Sequence, residues 1–91
     1  PGTTSGVAFS ANPVTGNKDE VVIESVKGLV EKLVSGKVTP KTKIVNKKGR
    51  LDELAKTVLK IEQYFGYPVD IEWTCKGKTL YILQCRPITT L

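Results

Sequence analysis

Apolar residues recur at Leu51, Leu54, Val58, Ile61 and Phe65, in steps of three and four that lay one stripe along a helix. Asp52 and Glu53 stand in its first turn, where carboxylates complement the helix dipole; Gly66 ends it and Pro68 prevents it from resuming. Past Pro68 the period changes to two. Val69, Ile71 and Trp73 alternate with Asp70, Glu72 and Thr74, which predicts a half-buried strand. A second strand follows, with Tyr81, Leu83 and Cys85 on one face and Leu80, Ile82, Gln84 and Arg86 on the other. A three-residue hairpin loop, Lys76-Gly77-Lys78, pairs Cys75 with Thr79 and sets Asp70 opposite Gln84. Glu72 is then diagonal to Gln84, roughly 7–8 Å away at the backbone. The helix is expected to pack on the face carrying Ile71, Trp73, Tyr81 and Leu83, with Trp73 in the core rather than stacked on a base.

Upstream, Gly6 to Ala11 reads as a strand broken by Asn12-Pro13, with a turn at Thr15-Gly16-Asn17. Glu20 to Val26, rich in β-branched residues, is a second strand. Leu29, Val30, Leu33 and Val34 give a short helix the apolar face it needs, with Gly36 placed to cap it. Lys43 to Asn46 is a short edge strand. The expected fold class is α+β: a mixed, mainly antiparallel sheet packed with two helices.

Composition narrows the function. Ninety-one residues allow one small core, and 40% hydrophobic with 25% charged residues is ordinary for a globular domain. No apolar run approaches the roughly 20 residues that cross a bilayer, and no signal peptide pattern opens the chain, so a cytoplasmic location is expected. The chain has no histidine and two cysteines, so it offers no zinc site. Cys75 and Cys85 lie at opposite ends of the predicted hairpin, roughly 20 Å apart, too far for a disulfide. Much of the net charge of +5 comes from Lys41, Lys43, Lys47, Lys48 and Arg50, which fall within ten residues with no acidic residue among them. Such a cluster attracts polyanions, yet it lacks the interleaved aromatics of single-strand binders; a solvated loop is the commoner meaning.

The hairpin carries the candidate chemistry. Asp70, Glu72, Gln84 and Arg86 converge on one surface: two carboxylates, an amide oxygen and a guanidinium. Magnesium takes oxygen ligands, commonly one or two carboxylates completed by nucleotide phosphates and water. Glu72 and Gln84 can supply the protein oxygens, Arg86 offers a planar fork for phosphate, and Asp70 can hold a second ion or orient Glu72. Gly77-Lys78-Thr79 imitates the end of a phosphate-binding P-loop, but it sits in a strand-turn-strand setting and Glu72 stands where the first glycine belongs. Glu24 and Glu31 can reach a ribose or an ion, although surface or helix-pairing roles suit them better.

Several blocks in order carry a resemblance: Ser5-Gly6-Val7-Ala8-Phe9-Ser10-Ala11-Asn12-Pro13-Val14-Thr15-Gly16, Val21-Val22-Ile23-Glu24-Ser25, Val34-Ser35-Gly36-Lys37-Val38-Thr39-Pro40, Asp70-Ile71-Glu72-Trp73 and Leu83-Gln84-Cys85-Arg86-Pro87. Together they resemble the ATP-binding region of phosphoenolpyruvate synthases and pyruvate phosphate dikinases, from about Ser5 to Leu91. The resemblance implies the C-terminal part of an ATP-grasp-type domain. It also implies Glu72 and Gln84 as magnesium ligands that bind ATP with Arg86, Asp70 as a further acidic ligand, and Arg86 as the catalytic residue that neutralises developing charge.

Enzymes of this family pass phosphoryl groups from ATP through a phosphohistidine on a swivelling domain to pyruvate bound in a barrel. A chain without histidine cannot complete that cycle. With no methionine either, residues 1–91 read as one fragment of a longer enzyme, inactive alone. Its partners are then ATP, the N-terminal half of the ATP-binding domain, the phosphohistidine domain and the pyruvate-binding barrel. Three features depart from the family pattern: Gly28-Leu29-Val30-Glu31, where a second glycine is usual before the glutamate; Lys41, where an acidic residue is common; and a short stretch between Pro40 and Leu51. The function expected is that of a phosphoenolpyruvate synthase, with a pyruvate phosphate dikinase or a rifampin-type antibiotic phosphotransferase as the alternatives inside the family. A basic, non-catalytic nucleic-acid-binding module is the alternative outside it. That module leaves the acidic hairpin face unexplained, because carboxylates repel a phosphate backbone.

Overall fold

The structure, a computed structural model, describes residues 3–28 and 39–89. Its strands are β1 (Thr3–Phe9), β2 (Glu20–Lys27), β3 (Lys41–Asn46), β4 (Val69–Lys76) and β5 (Thr79–Pro87), with helix α1 (Glu53–Phe65) between β3 and β4. They form one five-stranded sheet in the order β3-β2-β1-β4-β5, in which every pairing is antiparallel. The α+β class is as expected, while the mixed sheet is corrected to a wholly antiparallel one. The helix expected through Leu29 to Val34 lies outside the described residues.

One face of the sheet carries the core. Ala8, Val21, Ile23, Val69, Ile71 and Trp73 are buried together with Ala55 and Val58 of α1, and Leu51, Leu54, Leu59 and Ile61 pack around them. Gly6, at the middle of β1, permits a close strand approach: a Cβ there would meet the backbone carbonyl of Glu24 in β2. Beyond β1, Asn12 folds the chain back, its Oδ1 accepting from the backbone N–H groups of Val14 and Thr15 at 2.9 and 3.2 Å. Ser10 ties this bend to the start of β4: its N–H donates to the Val69 carbonyl, and its Oγ accepts from the Val69 N–H at 2.7 Å.

The helix starts two residues later than its apolar stripe. Asp52 is the N-cap, its side chain accepting from the Ala55 N–H at 2.9 Å, and Gly66 closes the other end at φ 80°. Phe65, expected in the buried stripe, is instead exposed and packs edge-to-face on Tyr64 and against Tyr67. The Ala55 N–H and the Lys43 ammonium, 3.1 Å away, hold the Asp52 carboxyl below the usual carboxylate range. Asp52→Ala should therefore cost about 1 kcal/mol of stability near neutral pH. Because the folded pKa is the lower one, that contribution is full above the unfolded value and fades as pH falls through the folded one. Urea unfolding of both proteins at neutral and strongly acidic pH checks it: the gap should close in acid.

Candidate functional site

The site begins at the β4–β5 turn. The loop has two residues rather than three: Gly77 takes φ 59° and Lys76 pairs with Thr79, the arrangement of a tight hairpin turn with glycine at its first central position. Pairing then runs Cys75 to Leu80, Thr74 to Tyr81 and Trp73 to Ile82, until a bulge leaves Leu83 unmatched and Glu72 falls opposite Gln84. Asp70 falls opposite Arg86, not Gln84. The shorter loop and the bulge together also correct the apolar face. Leu80 and Cys85 are the β5 residues against the core, while Tyr81 and Leu83 are about half exposed.

The four predicted residues nevertheless share one face, on the side of the sheet away from α1, as two adjacent cross-strand pairs. With Val7 of β1 as their floor, Asp70, Glu72, Gln84 and Arg86 line a hollow of about 270 Å³. That lies at or below the low end of the roughly 300–1,000 Å³ typical of small-molecule pockets, and suits a metal with phosphate oxygens better than a whole nucleotide. Asp70, largely buried on the interior strand, accepts at Oδ2 from the Arg86 Nε at 3.1 Å; the Arg86 side chain is 68% exposed against 17% for Asp70. The two terminal amino groups of Arg86 stand outside that bond. One pair further along the same face, Ser5 Oγ and Thr74 Oγ1 lie 2.6 Å apart in a buried hydrogen bond that ties β1 to β4 beside the site.

Glu24, which sequence reasoning left on the surface, pairs with Val7 from the other side. Glu72 also pairs with Val7, so the two glutamates share a face two strands apart, roughly 10 Å at the backbone. The signal was present in the alternation of β2, but only the strand order places it beside Glu72. Glu31 lies outside the described residues.

Among the described residues, no three histidine, cysteine or acidic side chains cluster closely enough to hold a metal by themselves. The donor set that is present, a carboxylate facing an amide oxygen, fits a hard cation that shares its shell with phosphate, and is too small for one held by protein alone. Both cysteines are free, and burial followed by the nearby Asp70 charge pushes the Cys85 thiol up, away from the reactive thiolate. The basic segment is partly committed to the fold. Lys43 pairs with Asp52, and Lys47, mostly buried, reaches both oxygens of Glu62 at 3.0 and 3.3 Å. Two of the five cations thus serve to hold α1. No described helix is long and apolar enough to cross a membrane.

A family model described as pyruvate phosphate dikinase, AMP/ATP-binding domain, matches residues 1–51 and 47–91. Among curated proteins, the chain is 36% identical to "Probable phosphoenolpyruvate synthase" of Methanocaldococcus jannaschii, with 96% of this chain and 11% of that protein covered. It is 37% identical to a phosphoenolpyruvate synthase of Pyrococcus furiosus, covering 96% of this chain and 17% of that protein. It is 33% identical to a rifampicin phosphotransferase of Bacillus cereus, covering 96% and 14%. The chain therefore spans well under a fifth of the length of these relatives. The first two alignments run over 128 and 137 positions although the chain has 91 residues, so those relatives carry stretches without a counterpart here. The two matched blocks of the family model meet at residues 47–51, at the end of the stretch between Pro40 and Leu51 that is short against the family pattern.

Proposed function

This chain belongs to the pyruvate phosphate dikinase AMP/ATP-binding domain family, and on that premise we propose that it is the phosphate-gripping part of the ATP-binding domain of a longer cytoplasmic phosphoenolpyruvate synthase. In that enzyme residues 1–91 form the C-terminal part of an ATP-grasp-type domain. The observation that carries the reading is the pair of adjacent cross-strand contacts, Glu72 with Gln84 and Asp70 with Arg86, around one small polar hollow.

Glu72 and Gln84 are the residues that would hold magnesium, with Asp70 beside them on the same face and bonded to Arg86. When bound, the ion would offset phosphate charge and share its oxygens with ATP. Arg86 directs its terminal amino groups at a phosphate and stabilises the charge that builds on the transferred group. The strands hold these groups in place before ATP arrives, so little reorganisation is left for the reaction. The acceptor comes from elsewhere: a histidine on another domain takes the phosphoryl group and delivers it to pyruvate in the barrel. The net reaction consumes pyruvate, ATP and water and yields phosphoenolpyruvate, AMP and phosphate.

Acceptor assays on the full-length enzyme test this. Phosphoenolpyruvate and AMP should form from pyruvate and MgATP without added phosphate. A requirement for phosphate would move the protein to the dikinases, and phosphorylation of rifampicin to the antibiotic phosphotransferases. ATP left untouched with every acceptor would end the nucleotide reading.

A further inference from the structure

The geometry points to Asp70 as a positioning residue for Arg86 rather than a metal ligand in its own right, an inference that rests on the nucleotide-site reading above. The two residues are direct cross-strand partners, and the single contact between them runs from Nε to Oδ2 at 3.1 Å. Their surroundings are unequal. Asp70 lies on β4, between β1 and β5, with its side chain 17% exposed, whereas Arg86 is on the edge strand with 68% of its side chain exposed. An arginine so exposed samples many rotamers, and fixing it costs side-chain entropy. A short aspartate on an interior strand has little freedom to lose, so the rigid member fixes the flexible one.

The atom used matters as much as the partner. A carboxylate that took both terminal amino groups would consume the fork that phosphate needs. A bond at Nε leaves that end-on fork free and sets its direction. Arg86 borders two hollows, the one holding Glu72 and Gln84 and a neighbour of about 380 Å³ that reaches Phe9 and Pro13, and both are also lined by Asp70. A guanidinium between two spaces needs a fixed point to serve one of them. The pairing has an electrostatic consequence too. Asp70 and Glu72 are two positions apart on one face, so an unpaired Asp70 would place a second negative charge where phosphates must enter. Its bond to Arg86 spends that charge locally.

The test is a double-mutant cycle in the full-length enzyme with two readouts, kcat with MgATP and the affinity for Mn2+ followed by paramagnetic resonance of the free ion. If Asp70 works through Arg86, Asp70→Ala lowers kcat about tenfold to a hundredfold when Arg86 is present. It then adds less than about twofold on an Arg86→Ala background, and Mn2+ affinity stays within about twofold. Asp70→Asn, which keeps the shape and an acceptor oxygen, runs through the same cycle with a smaller first step and the same lack of additivity, so a misfolded alanine variant does not remove the test. Full multiplication of the two effects, or a loss of Mn2+ affinity of about tenfold, would overturn the inference while leaving the nucleotide site standing. Unimpaired turnover in Arg86→Ala alone would overturn the inference together with the role given to Arg86, whereas ATP left untouched by the unsubstituted enzyme would end the nucleotide reading itself.

Discussion

Arg86→Ala in the full-length enzyme should lower kcat for ATP-dependent phosphoryl transfer by about 10³-fold or more, and Glu72→Ala by at least about 10²-fold, with both proteins still folded. The magnitude for Arg86 follows from its place: an arginine that meets charge developing on a transferred phosphoryl group contributes about 10³–10⁵ in rate. Stability responds much less. Its ion pair to Asp70 is exposed on the Arg86 side and belongs with surface pairs worth about 0.2–1 kcal/mol. Glu72 separates from Arg86 by a second readout. A ligand's loss should raise the magnesium concentration needed for half-maximal rate, while the loss of a phosphate contact should leave it nearly unchanged. Steady-state kinetics across a magnesium series, with thermal unfolding alongside, decide the matter. Turnover near normal in either variant would refute the assignment of that residue.

These residues could be grouped from the sequence even though their pairing could not, and the reason lies in parity. The expected register put Asp70 opposite Gln84. The actual loop is one residue shorter, which shifts every pair by one, and the bulge at Leu83 shifts the pairs beyond it by one more. Two single shifts restore the face, so Gln84 and Arg86 stay on the side of Asp70 and Glu72. Tyr81, before the bulge, feels only the first shift and changes face. A one-residue slip always does this in a strand, whose side chains alternate with period two. Leu80-Tyr81-Ile82-Leu83 is apolar throughout, so its pattern contains no contrast from which either phase could be read.

The elements themselves were more legible than their edges. The α1 stripe identifies the helix because Leu54, Val58 and Ile61 face the core, but it runs on through Phe65, where the aromatic ring finds Tyr64 and Tyr67 instead. β3 begins two residues before the expected Lys43, because Lys41 and Thr42 pair with Ser25 and Glu24 through backbone groups that any residue supplies. The lysines of the basic segment read as solvated in sequence. Their partners, Asp52 and Glu62, lie nine and fifteen positions away and meet them only because α1 folds back over the sheet.

Trp73 should respond very unequally to two substitutions: Trp73→Ala should cost about 3–5 kcal/mol, and Trp73→Phe less than about 1.5 kcal/mol. The indole is 4% exposed in the cluster with Ala8, Ile23, Ala55, Val58 and Ile71, so alanine would remove the largest side chain of the core and leave a cavity that strands tied on both sides cannot close. In a small domain that cost is a large fraction of a typical total stability of about 5–15 kcal/mol. Phenylalanine keeps most of the apolar contact and deletes the indole N–H, which is buried without a hydrogen-bond partner among the described residues. Burying an unpaired donor carries a penalty of about 1–3 kcal/mol, so its removal offsets much of the volume lost. Trp73 shares β4 with Asp70 and Glu72 but points to the other side of the sheet. Turnover per folded molecule should therefore hold in Trp73→Phe, and denaturant unfolding paired with kcat separates the two effects. A phenylalanine variant as unstable as the alanine one would mean that the indole N–H has a partner, and that Trp73 is held by more than packing.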